Sequence, residues 1–335
     1  MRSFSRLGFG LLAGAAALAA FRASQRISFR GKVVLITGGS RGLGLVLARQ
    51  LGAEGARLAL LARDPAELQR AAEELRARGA EVVALVGDVG KSGAAEQAIT
   101  ATIHAFGRLD VLINNAGMII VGPLETMNEA DYESAFATHL WGPLRFMTAA
   151  LPHLKRTRGR IVNISSFGGK IAVPHLAPYS ASKFALAGLS DAFRAELAQV
   201  GIKVTSVFPG LLRTGSHVQA LFKGQRAREF AWFTLGASTP LTSASAENAA
   251  RQIIRACRYG RPELIITIQA RLAVLANAVF PNLAARVATL VNRALPAAGS
   301  HGGDAVPGWQ ARGSFPPAAV TALPDQASDA NNEVS

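Results

Sequence analysis

The stretch from residue 32 to residue 51 constrains the fold more than any other part of the chain. It opens with a short run of β-branched and apolar residues, 32–37, which is typical of a buried strand. The run passes into a turn that holds four glycines between Gly38 and Gly44, and a helical spacing of leucine and alanine begins at Leu45. A strand that leads through glycines into a helix is the first unit of a parallel α/β sheet.

The same alternation of strand and helix continues along the chain. Apolar runs predict strands at 57–61, 81–86, 109–113, 161–166, 203–208 and 263–268, and helical spacing predicts helices at 64–78, 92–106 and 246–258. Strands that alternate with helices imply a parallel sheet that is covered on both faces. Such a sheet binds its ligands at the carboxyl ends of the strands.

The glycine-rich turn is predicted to hold the phosphates of a nucleotide cofactor, because glycines let the backbone approach a pyrophosphate and the helix N-terminus supplies N–H donors. A plain strand-to-helix turn is the alternative. The second strand lacks the following carboxylate that would bind an NAD ribose; Arg63 stands there, and Arg41 in the turn is a second cation. Asp64 precedes Pro65 and is predicted to cap the next helix. The pattern favours NADP(H), with NAD(H) left open.

Two further strands end in residues that suit a nucleotide. Asp88 follows the third strand and is placed to accept from an adenine amino group, and the turn Asn114 to Gly117 follows the fourth strand. The small residues Ala116 and Gly117 would let a flat ring lie on the backbone. A helix cap and a tight loop are the ordinary alternatives for these two features.

Tyr179 and Lys183 are predicted to lie one turn apart on the same face of a helix. A free tyrosine titrates near ~10, and a neighbouring cation lowers that pKa, so the phenol can exchange a proton with a carbonyl or alcohol oxygen. Ser166 ends a strand-like run and can hold the same oxygen. A surface tyrosine beside a solvated lysine is the alternative for Tyr179 and Lys183 taken alone.

These motifs occur in one order between Gly31 and Ile266. They are Thr37-Gly38-x-x-x-Gly42-x-Gly44, Asp88, Asn114-Asn115-Ala116-Gly117, Ser166, Tyr179-x-x-x-Lys183, and Pro209-Gly210 with Thr214. On these motifs the chain resembles the short-chain dehydrogenase/reductase family. The resemblance implies a single α/β domain of Rossmann type, a doubly wound parallel sheet of about seven strands flanked by helices.

The resemblance also implies roles for individual residues. Ser166, Tyr179 and Lys183 form the catalytic group, Lys183 binds the hydroxyls of the nicotinamide ribose, and Thr214 contacts the carboxamide. The predicted cofactor-binding residues are Thr37, Gly38, Ser40, Arg41, Gly42, Leu43, Gly44, Arg63, Asp88, Val89, Asn115, Ala116, Gly117, Tyr179, Lys183, Pro209, Gly210 and Thr214.

One position departs from the family pattern. The family has an asparagine that holds a proton-relay water on the helix before the catalytic serine, and His139 stands at that position here. An imidazole hydrogen-bonds in a similar way and titrates near ~6.5, so one hypothesis is that His139 keeps the relay and adds a pH dependence. The alternative is that His139 only packs.

Composition limits the other classes of function. The formal charge of +14 comes from scattered arginines without interleaved aromatics, which does not favour nucleic acid; an anionic cofactor or membrane surface explains the excess as well. Cys257 is the only cysteine, and the histidines have no metal-ligand spacing, so neither a disulfide nor a metal site is predicted.

The regions outside the catalytic domain, predicted over 31–268, carry separate expectations. Residues 1–30 hold an apolar run flanked by arginines, interpreted as a membrane anchor or surface helix, with a packed helix or a cleaved signal as alternatives. Residues 211–245 are predicted to form a substrate lid, and 269–295 an amphipathic extension that packs on the protein, covers the substrate mouth or lies on a membrane. Residues 296–335 are predicted to be a disordered tail.

The pattern as a whole predicts reversible hydride transfer between NADP(H) and a carbonyl or secondary alcohol of an apolar small molecule. We expect a homodimer or homotetramer, as is common in the family, in the cytoplasm or held at a membrane by the N-terminal segment. The alternative function is a membrane-associated NADP-binding protein, a sensor or scaffold, with little or no turnover.

Overall fold

The computed structural model describes residues 26–239, 243–299, 303–313 and 318–333. A seven-stranded parallel sheet forms its centre, which confirms the predicted fold class. The strands are β1 (Val33–Thr37), β2 (Arg57–Ala62), β3 (Val82–Val86), β4 (Val111–Asn114), β5 (Arg160–Ile164), β6 (Lys203–Pro209) and β7 (Glu263–Ile266). Their order across the sheet is β7-β6-β5-β4-β1-β2-β3. The winding reverses at β1, between β4 and β2, and ligands bind beyond the carboxyl ends of strands at such a point.

Helices cover both faces of this sheet, and others lie in the lid region and after β7. They are α1 (Gly42–Ala53), α2 (Pro65–Ala77), α3 (Ala94–Phe106), α4 (Glu129–Phe136), α5 (Gly142–Thr157), α6 (Ala177–Leu197), α7 (Arg226–Ala237), α8 (Ala246–Arg258), α9 (Ile268–Val279), α10 (Pro281–Ala294), α11 (Gly308–Ala311) and α12 (Ala318–Ala330). Val34 and Ile36 of β1 enter the core shared with α1 and α8, whereas Val33 and Leu35 enter the core shared with α3 and α5. The unbroken apolar run of β1 therefore reflects burial on both faces.

The start of α2 fits the predicted cap. The Asp64 carboxylate accepts a hydrogen bond from the backbone N–H of Glu67 at 2.8 Å, and Pro65 is the first helical residue. The Asp64 carboxylate therefore acts as the N-cap of α2. Arg63 is exposed at the carboxyl end of β2.

The link between α4 and α5 is a short π-helix, Ala137–Trp141, that contains His139. The wider helical turn runs without a break into α5 at Gly142. A Cβ on Gly142 would lie 3.0 Å from the Val89 carbonyl oxygen, so this helix approaches the loop after β3 closely. π-Helical turns of this kind are frequent at functional sites.

The predicted lid contains α7 and three short strands rather than irregular chain. One of these strands, Leu221–Phe222, pairs with Ile120–Val121 on one side and with Val306–Pro307 on the other. Phe222 and Phe230 are buried together, with ring centroids 5.4 Å apart. These two aromatic side chains hold the lid on the protein.

A buried ion pair fastens the base of the lid to α4. Lys223 is 2 % exposed, and its Nζ lies 2.6 Å from Asp131 Oδ2. The same ammonium lies 3.4 Å from the Thr126 carbonyl oxygen. Because removing one member of a buried pair leaves the other charge uncompensated, this attachment is expensive to break.

The helices α9 and α10 follow the last strand and leave most of their large apolar side chains in solvent. Nine of these side chains are 47–70 % exposed: Ile268, Leu272, Leu275, Val279, Phe280, Leu283, Val287, Leu290 and Val291. The extension at 269–295 is therefore helical, but its apolar residues are not packed on the domain. Among the described residues, no helix combines the length and apolar character needed to cross a bilayer. The predicted anchor lies almost wholly in residues 1–25, outside the described part.

The prediction of a disordered tail is wrong for the described part of residues 296–335. Val306–Pro307 adds a strand beside the lid, and α12 leads into residues 331–333, which lie against the glycine-rich turn. The buried side chains there include four polar ones: Thr321, Ser328, Asn331 and Glu333. Residues 331–333 are held by hydrogen bonds and not by a periodic apolar face. Composition and apolar periodicity therefore could not predict that this part of the chain is ordered.

Candidate active site

Hydrogen bonds join the glycine-rich turn to the end of β4. Thr37 Oγ1 accepts from the backbone N–H groups of Asn115 and Ala116 at 3.0 and 3.1 Å. Asn115 Nδ2 donates to the carbonyl oxygens of Thr37 and Gly38 at 3.1 and 2.9 Å. A Cβ on Gly44 would collide with the Gly38 carbonyl oxygen. Packing between the strand ends therefore requires glycine at residue 44 whatever the turn binds.

Other predicted cofactor residues from the first half of the chain lie in this turn and in the loop after β3. Gly42 opens α1 with a φ of +55°, Ser40 is buried, and Leu43 packs partly on the core. The Asp88 carboxylate accepts from the backbone N–H of Gly90 at 2.9 Å, so it caps its own loop in this structure. Val89 is buried under the π-helix.

The residues after β6 close the other side of the site. Pro209 ends β6, and the Gly210 N–H donates to the Ile266 carbonyl oxygen at 3.1 Å. Thr214 is buried, and its hydroxyl donates to Ser216 Oγ at 3.0 Å. A Cβ on Gly42 would lie 4.0 Å from Thr214 Cβ, so this segment and the glycine-rich turn face each other.

Ser166, Tyr179 and Lys183 come together beyond the carboxyl end of β5. Ser166 hydrogen-bonds the Tyr179 side chain and also accepts from the Gly168 N–H at 3.0 Å. Lys183 is buried on α6, with its Nζ 5.6 Å from the centroid of the Tyr179 ring and 2.9 Å from the Ile164 carbonyl oxygen. The predicted catalytic group therefore exists as a spatial cluster.

The electrostatics of this cluster differ from the sequence-based expectation. We expected Lys183 to lower the pKa of the Tyr179 phenol, but burial raises that pKa, while the hydrogen bond with Ser166 lowers it in part. Burial also lowers the pKa of Lys183 to about 7, so the ammonium is only partly populated at neutral pH. Desolvation disfavours the charged forms of both groups.

His139 is fully buried and uses both ring nitrogens inside the protein. Nε2 accepts from the Met118 backbone N–H at 3.1 Å, so the neutral ring carries its proton on Nδ1 and donates to Ser182 Oγ at 2.8 Å. Ser182 in turn donates to the Tyr179 carbonyl oxygen at 2.9 Å. Burial and the nearby Lys183 hold the pKa of His139 well below its usual range. These contacts and the lowered pKa favour the packing hypothesis for His139 over titration near neutral pH.

A second histidine, His175, pairs with a carboxylate under the lid. Its Nδ1 lies 2.9 Å from Glu229 Oε1, and Trp232 Nε1 donates to Glu229 Oε2 at 2.6 Å. Glu229 is 0 % exposed, and His175 has a φ of +63°. Glu229 lies 54 positions from His175 along the chain, so no local sequence pattern reveals this pair.

The C-terminal residues Asn331, Asn332 and Glu333 also contribute to this site, although no local sequence pattern marks them. The Gly42 backbone N–H donates to the Asn331 carbonyl oxygen at 2.9 Å. Asn332 Nδ2 donates to the Ser40 carbonyl oxygen at 2.9 Å. Glu333 Oε2 lies 3.3 Å from Arg41 Nε. The end of the described chain therefore lies on the turn predicted to hold a pyrophosphate.

Comparison with known sequences assigns the family. The sequence profile described as short chain dehydrogenase matches residues 32–223, which is more than half of the chain. The chain belongs to the short-chain dehydrogenase family. It is therefore an NAD(P)-dependent oxidoreductase that acts on the CH–OH/C=O pair.

Individual relatives differ in their ligands. The chain is 41 % identical over 189 residues to an 11-beta-hydroxysteroid dehydrogenase-like protein 4A from Arabidopsis thaliana, which covers 56 % of this chain and 62 % of the plant protein. A metagenomic short-chain oxidoreductase in complex with NADP has a TM-score of 0.58 and 32 % identity over 72 % of this chain and 98 % of that one. A Burkholderia phymatum member in complex with NAD shares the fold, with a TM-score of 0.69 and 24 % identity over 77 % of this chain and 96 % of that one.

The residues of this short-chain dehydrogenase fit a nucleotide cofactor at the glycine-rich turn. Glu333 Oε1 lies 2.5 Å from the position that a Cβ on Gly42 would occupy, so the space above the first residue of α1 accepts an anionic oxygen. The backbone N–H of Gly42 points at an oxygen acceptor, and the Arg41 guanidinium lies beside it. A carboxylate and a carbonyl thus stand where phosphate oxygens would bind a helix N-terminus.

Proposed function

We propose that this short-chain dehydrogenase uses NADP(H) to reduce a carbonyl group on an apolar substrate, and oxidises the corresponding secondary alcohol in the reverse direction. The observation that carries this proposal is the Ser166–Tyr179 hydrogen bond, with Lys183 one helical turn further along α6. These groups lie beyond the carboxyl ends of the parallel strands, where this fold binds its ligands.

The proton chemistry is assigned to Tyr179. When bound, the nicotinamide supplies or accepts the hydride. The Tyr179 phenol gives its proton to the carbonyl oxygen, and the Ser166 hydroxyl donates a hydrogen bond to the same oxygen and stabilises its developing charge. The raised pKa of Tyr179 keeps the phenol protonated at neutral pH, the form that can give a proton to a carbonyl oxygen. The protonated fraction of Lys183 then stabilises the phenolate that remains.

The preference for NADP(H) is supported by the charges at the end of β2. Ala62 ends the strand without a carboxylate, Arg63 is exposed there, and Arg41 lies in the neighbouring turn. Arginine suits a 2′-phosphate, whereas an acidic residue would bind the free 2′-hydroxyl of NAD. Arg63→Ala is therefore expected to raise the KM for NADPH about tenfold while changing that for NADH little, measured as initial rates with both cofactors.

An apolar substrate is supported by the cluster under the lid. Tyr179, Trp232 and Phe233 are partly buried against a core that includes Phe222 and Phe230. Aromatic and aliphatic walls with few polar groups favour apolar ligands. A panel of steroid, acyl, quinone and small ketones, assayed by NADPH oxidation, tests the class of substrate.

The panel also separates catalysis from binding alone. The proposal expects at least one carbonyl compound to be reduced by the wild type and not by Tyr179→Phe. NADPH binding without oxidation of NADPH by any member of the panel would instead support the sensor or scaffold hypothesis.

We further propose that α9 and α10 rest on an anionic lipid surface. Between Ile268 and Ala294 the only charged side chains are Arg271, Arg286 and Arg293, and the apolar side chains around them are exposed. Apolar residues that enter the headgroup region beside cations that pair with anionic lipids are typical of interfacial helices. This contact would bring the enzyme, which we propose to be cytoplasmic, to a membrane surface through two helices that do not span it.

Vesicle sedimentation tests this surface. Wild type is expected to sediment with phosphatidylserine/phosphatidylcholine vesicles, and the double variant Leu272→Ser/Leu283→Ser is expected to remain in the supernatant. Analytical ultracentrifugation of both proteins tests the proposed homodimer or homotetramer. If the serine variant changes the oligomeric state and wild type ignores vesicles, these helices are a contact between subunits instead.

A further inference from the structure

The C-terminal segment, defined as residues Ser328–Glu333, lies across the site proposed to bind the cofactor. It begins at the residues after β6, where Ser328 Cα lies 2.5 Å from the position that a Cβ on Gly215 would take. It ends over the glycine-rich turn, where Glu333 contacts Arg41. Six residues therefore connect the region predicted to hold the nicotinamide to the region predicted to hold the phosphates.

The middle of the segment uses the hydrogen-bonding groups that a pyrophosphate would need. The Asn331 carbonyl oxygen accepts a hydrogen bond from the backbone N–H of Gly42, the first residue of α1. The Arg49 guanidinium donates two hydrogen bonds to the same segment, one to Asn331 Oδ1 at 3.0 Å and one to the Ala330 carbonyl oxygen at 2.9 Å. Because an N–H group at a helix start donates to one acceptor at a time, Gly42 cannot serve Asn331 and a phosphate together.

Asn332 fixes the register of the segment. Its Nδ2 donates to the carbonyl oxygens of Ser40 and Glu67, at 2.9 and 3.1 Å, and its Oδ1 accepts from Arg70 Nε at 3.0 Å. Its φ of +58° lies in the left-handed region, which asparagine tolerates and β-branched residues do not. Three hydrogen bonds and one permissive backbone position hold the segment on the turn.

Glu333 places a carboxylate at the start of α1. It is 4 % exposed, its Oε2 lies 3.3 Å from Arg41 Nε, and its backbone carbonyl accepts from Gln219 Nε2 at 2.8 Å. Arg41 also pairs with Glu67 at 2.8 Å. The guanidinium proposed to meet the phosphates of NADP(H) thus lies between two acidic side chains of the same chain.

We propose that the C-terminal segment is an internal competitor for the cofactor site, and that it must leave the glycine-rich turn before NADP(H) binds. This inference rests on the proposed function and adds a regulatory element to the same site. A tethered ligand acts at a high effective concentration, so even weak docking lowers the apparent cofactor affinity by the fraction of molecules in which the segment is docked. A partner or modification that withdraws the segment would raise cofactor affinity.

The charged groups around Glu333 make this docking sensitive to pH. Arg41 from the turn lowers the pKa of Glu333, and burial together with Glu67 from α2 raises it, with the result at about 7 instead of the usual 4.5. Arg49 of α1 contacts the two preceding residues, and the lid contributes the neutral Gln219. The docked segment therefore holds a proton that the released segment gives up, and docking weakens as the pH rises from about 4.5 through about 7.

Direct titration with NADPH, without any substrate, tests the competition. The release variant is Asn332→Val, which loses the three side-chain hydrogen bonds and disfavours the left-handed backbone. The matched control is Asp329→Asn in the same segment, where the side chain is exposed. We expect Asn332→Val to lower the apparent Kd for NADPH about tenfold relative to wild type, and Asp329→Asn to leave it unchanged. Equal affinities in all three proteins would overturn the proposal.

Hydrogen exchange on the unmodified protein gives a second, independent readout. Saturating NADPH is expected to speed amide exchange in residues 328–333 while it slows exchange in residues 38–44. If the cofactor slows exchange in both stretches, the segment is a wall of the cofactor site and the competition is wrong. If neither wild type nor Asn332→Val binds NADPH or NADH, the proposed function itself fails, and the inference fails with it.

Discussion

The catalytic cluster and the glycine-rich turn are built in different ways, although both lie at the same edge of the sheet. Around Tyr179, polar groups have partners in fixed elements: His139 is held between Met118 and Ser182, and Lys183 donates to Ile164. At the turn, Gly42 and Arg41 have partners in a C-terminal segment that arrives from the end of the chain. The catalytic cluster is therefore preorganised for chemistry. At the glycine-rich turn, the C-terminal segment and the cofactor are proposed to compete for the same groups.

The largest expected effect tests the catalytic cluster alone. Tyr179→Phe removes the proton donor and keeps the ring, so kcat should fall about 10³-fold, in the range attributed to general acid catalysis. Isothermal titration should show an unchanged Kd for NADPH. If turnover survives in this variant, the proton comes from another group and the assignment of Tyr179 is wrong.

The next effect concerns the backbone of the turn. Gly44→Ala drives a methyl group into the Gly38 carbonyl oxygen, and it should lower the free energy of unfolding by about 4 kcal/mol or prevent folding. Gly188→Ala on α6 is the control, because nothing lies within 4 Å of its added Cβ; it should raise stability by about 0.5–1 kcal/mol. Urea denaturation compares the two variants, and similar stabilities would show that the strand ends are not tightly packed.

A smaller effect distinguishes the two hypotheses for His139. His139→Leu leaves the Met118 N–H without an acceptor and should destabilise the protein by about 2 kcal/mol, whereas His139→Asn offers an amide oxygen and should cost less than half as much. The pH–rate profile between pH 6 and pH 8 should be the same in His139→Asn and in wild type. A step near pH 6.5 that disappears in His139→Asn would restore the titrating relay.

The smallest expected effect tests the proposed docking of the C-terminal segment on the glycine-rich turn. Because docking raises the pKa of Glu333 from 4.5 to about 7, the docked segment is favoured below about pH 7, and the apparent affinity for NADH should rise up to about tenfold between pH 5.5 and pH 7.5. NADH is the better probe here, because the 2′-phosphate of NADPH itself titrates near ~6. Glu333→Gln cannot ionise and should flatten this dependence; a dependence that persists in Glu333→Gln would come from another group.

The same contrast explains how far the sequence could predict the structure. The parallel sheet followed from apolar runs, which indicate buried strands, and the proximity of Tyr179 and Lys183 followed from their four-residue spacing on a helix. The grouping of Ser166 with them followed from the resemblance to the family. The raised pKa of Tyr179 did not follow, because it depends on burial in three dimensions. The contacts of Asn331 to Glu333 did not follow either, because they join residues nearly 300 positions apart through hydrogen bonds.

The buried pair of Lys223 and Asp131 limits how the substrate can reach Tyr179. Because Lys223 is paired with Asp131 of α4, the base of the lid is expected to stay in contact with α4 when other parts of the lid move. Gly224 follows with a φ of +68°, and α7 begins at Arg226. Any widening of the entrance to the active site is therefore expected in α7, beyond the fixed base at Lys223, and it would separate Glu229 of that helix from His175.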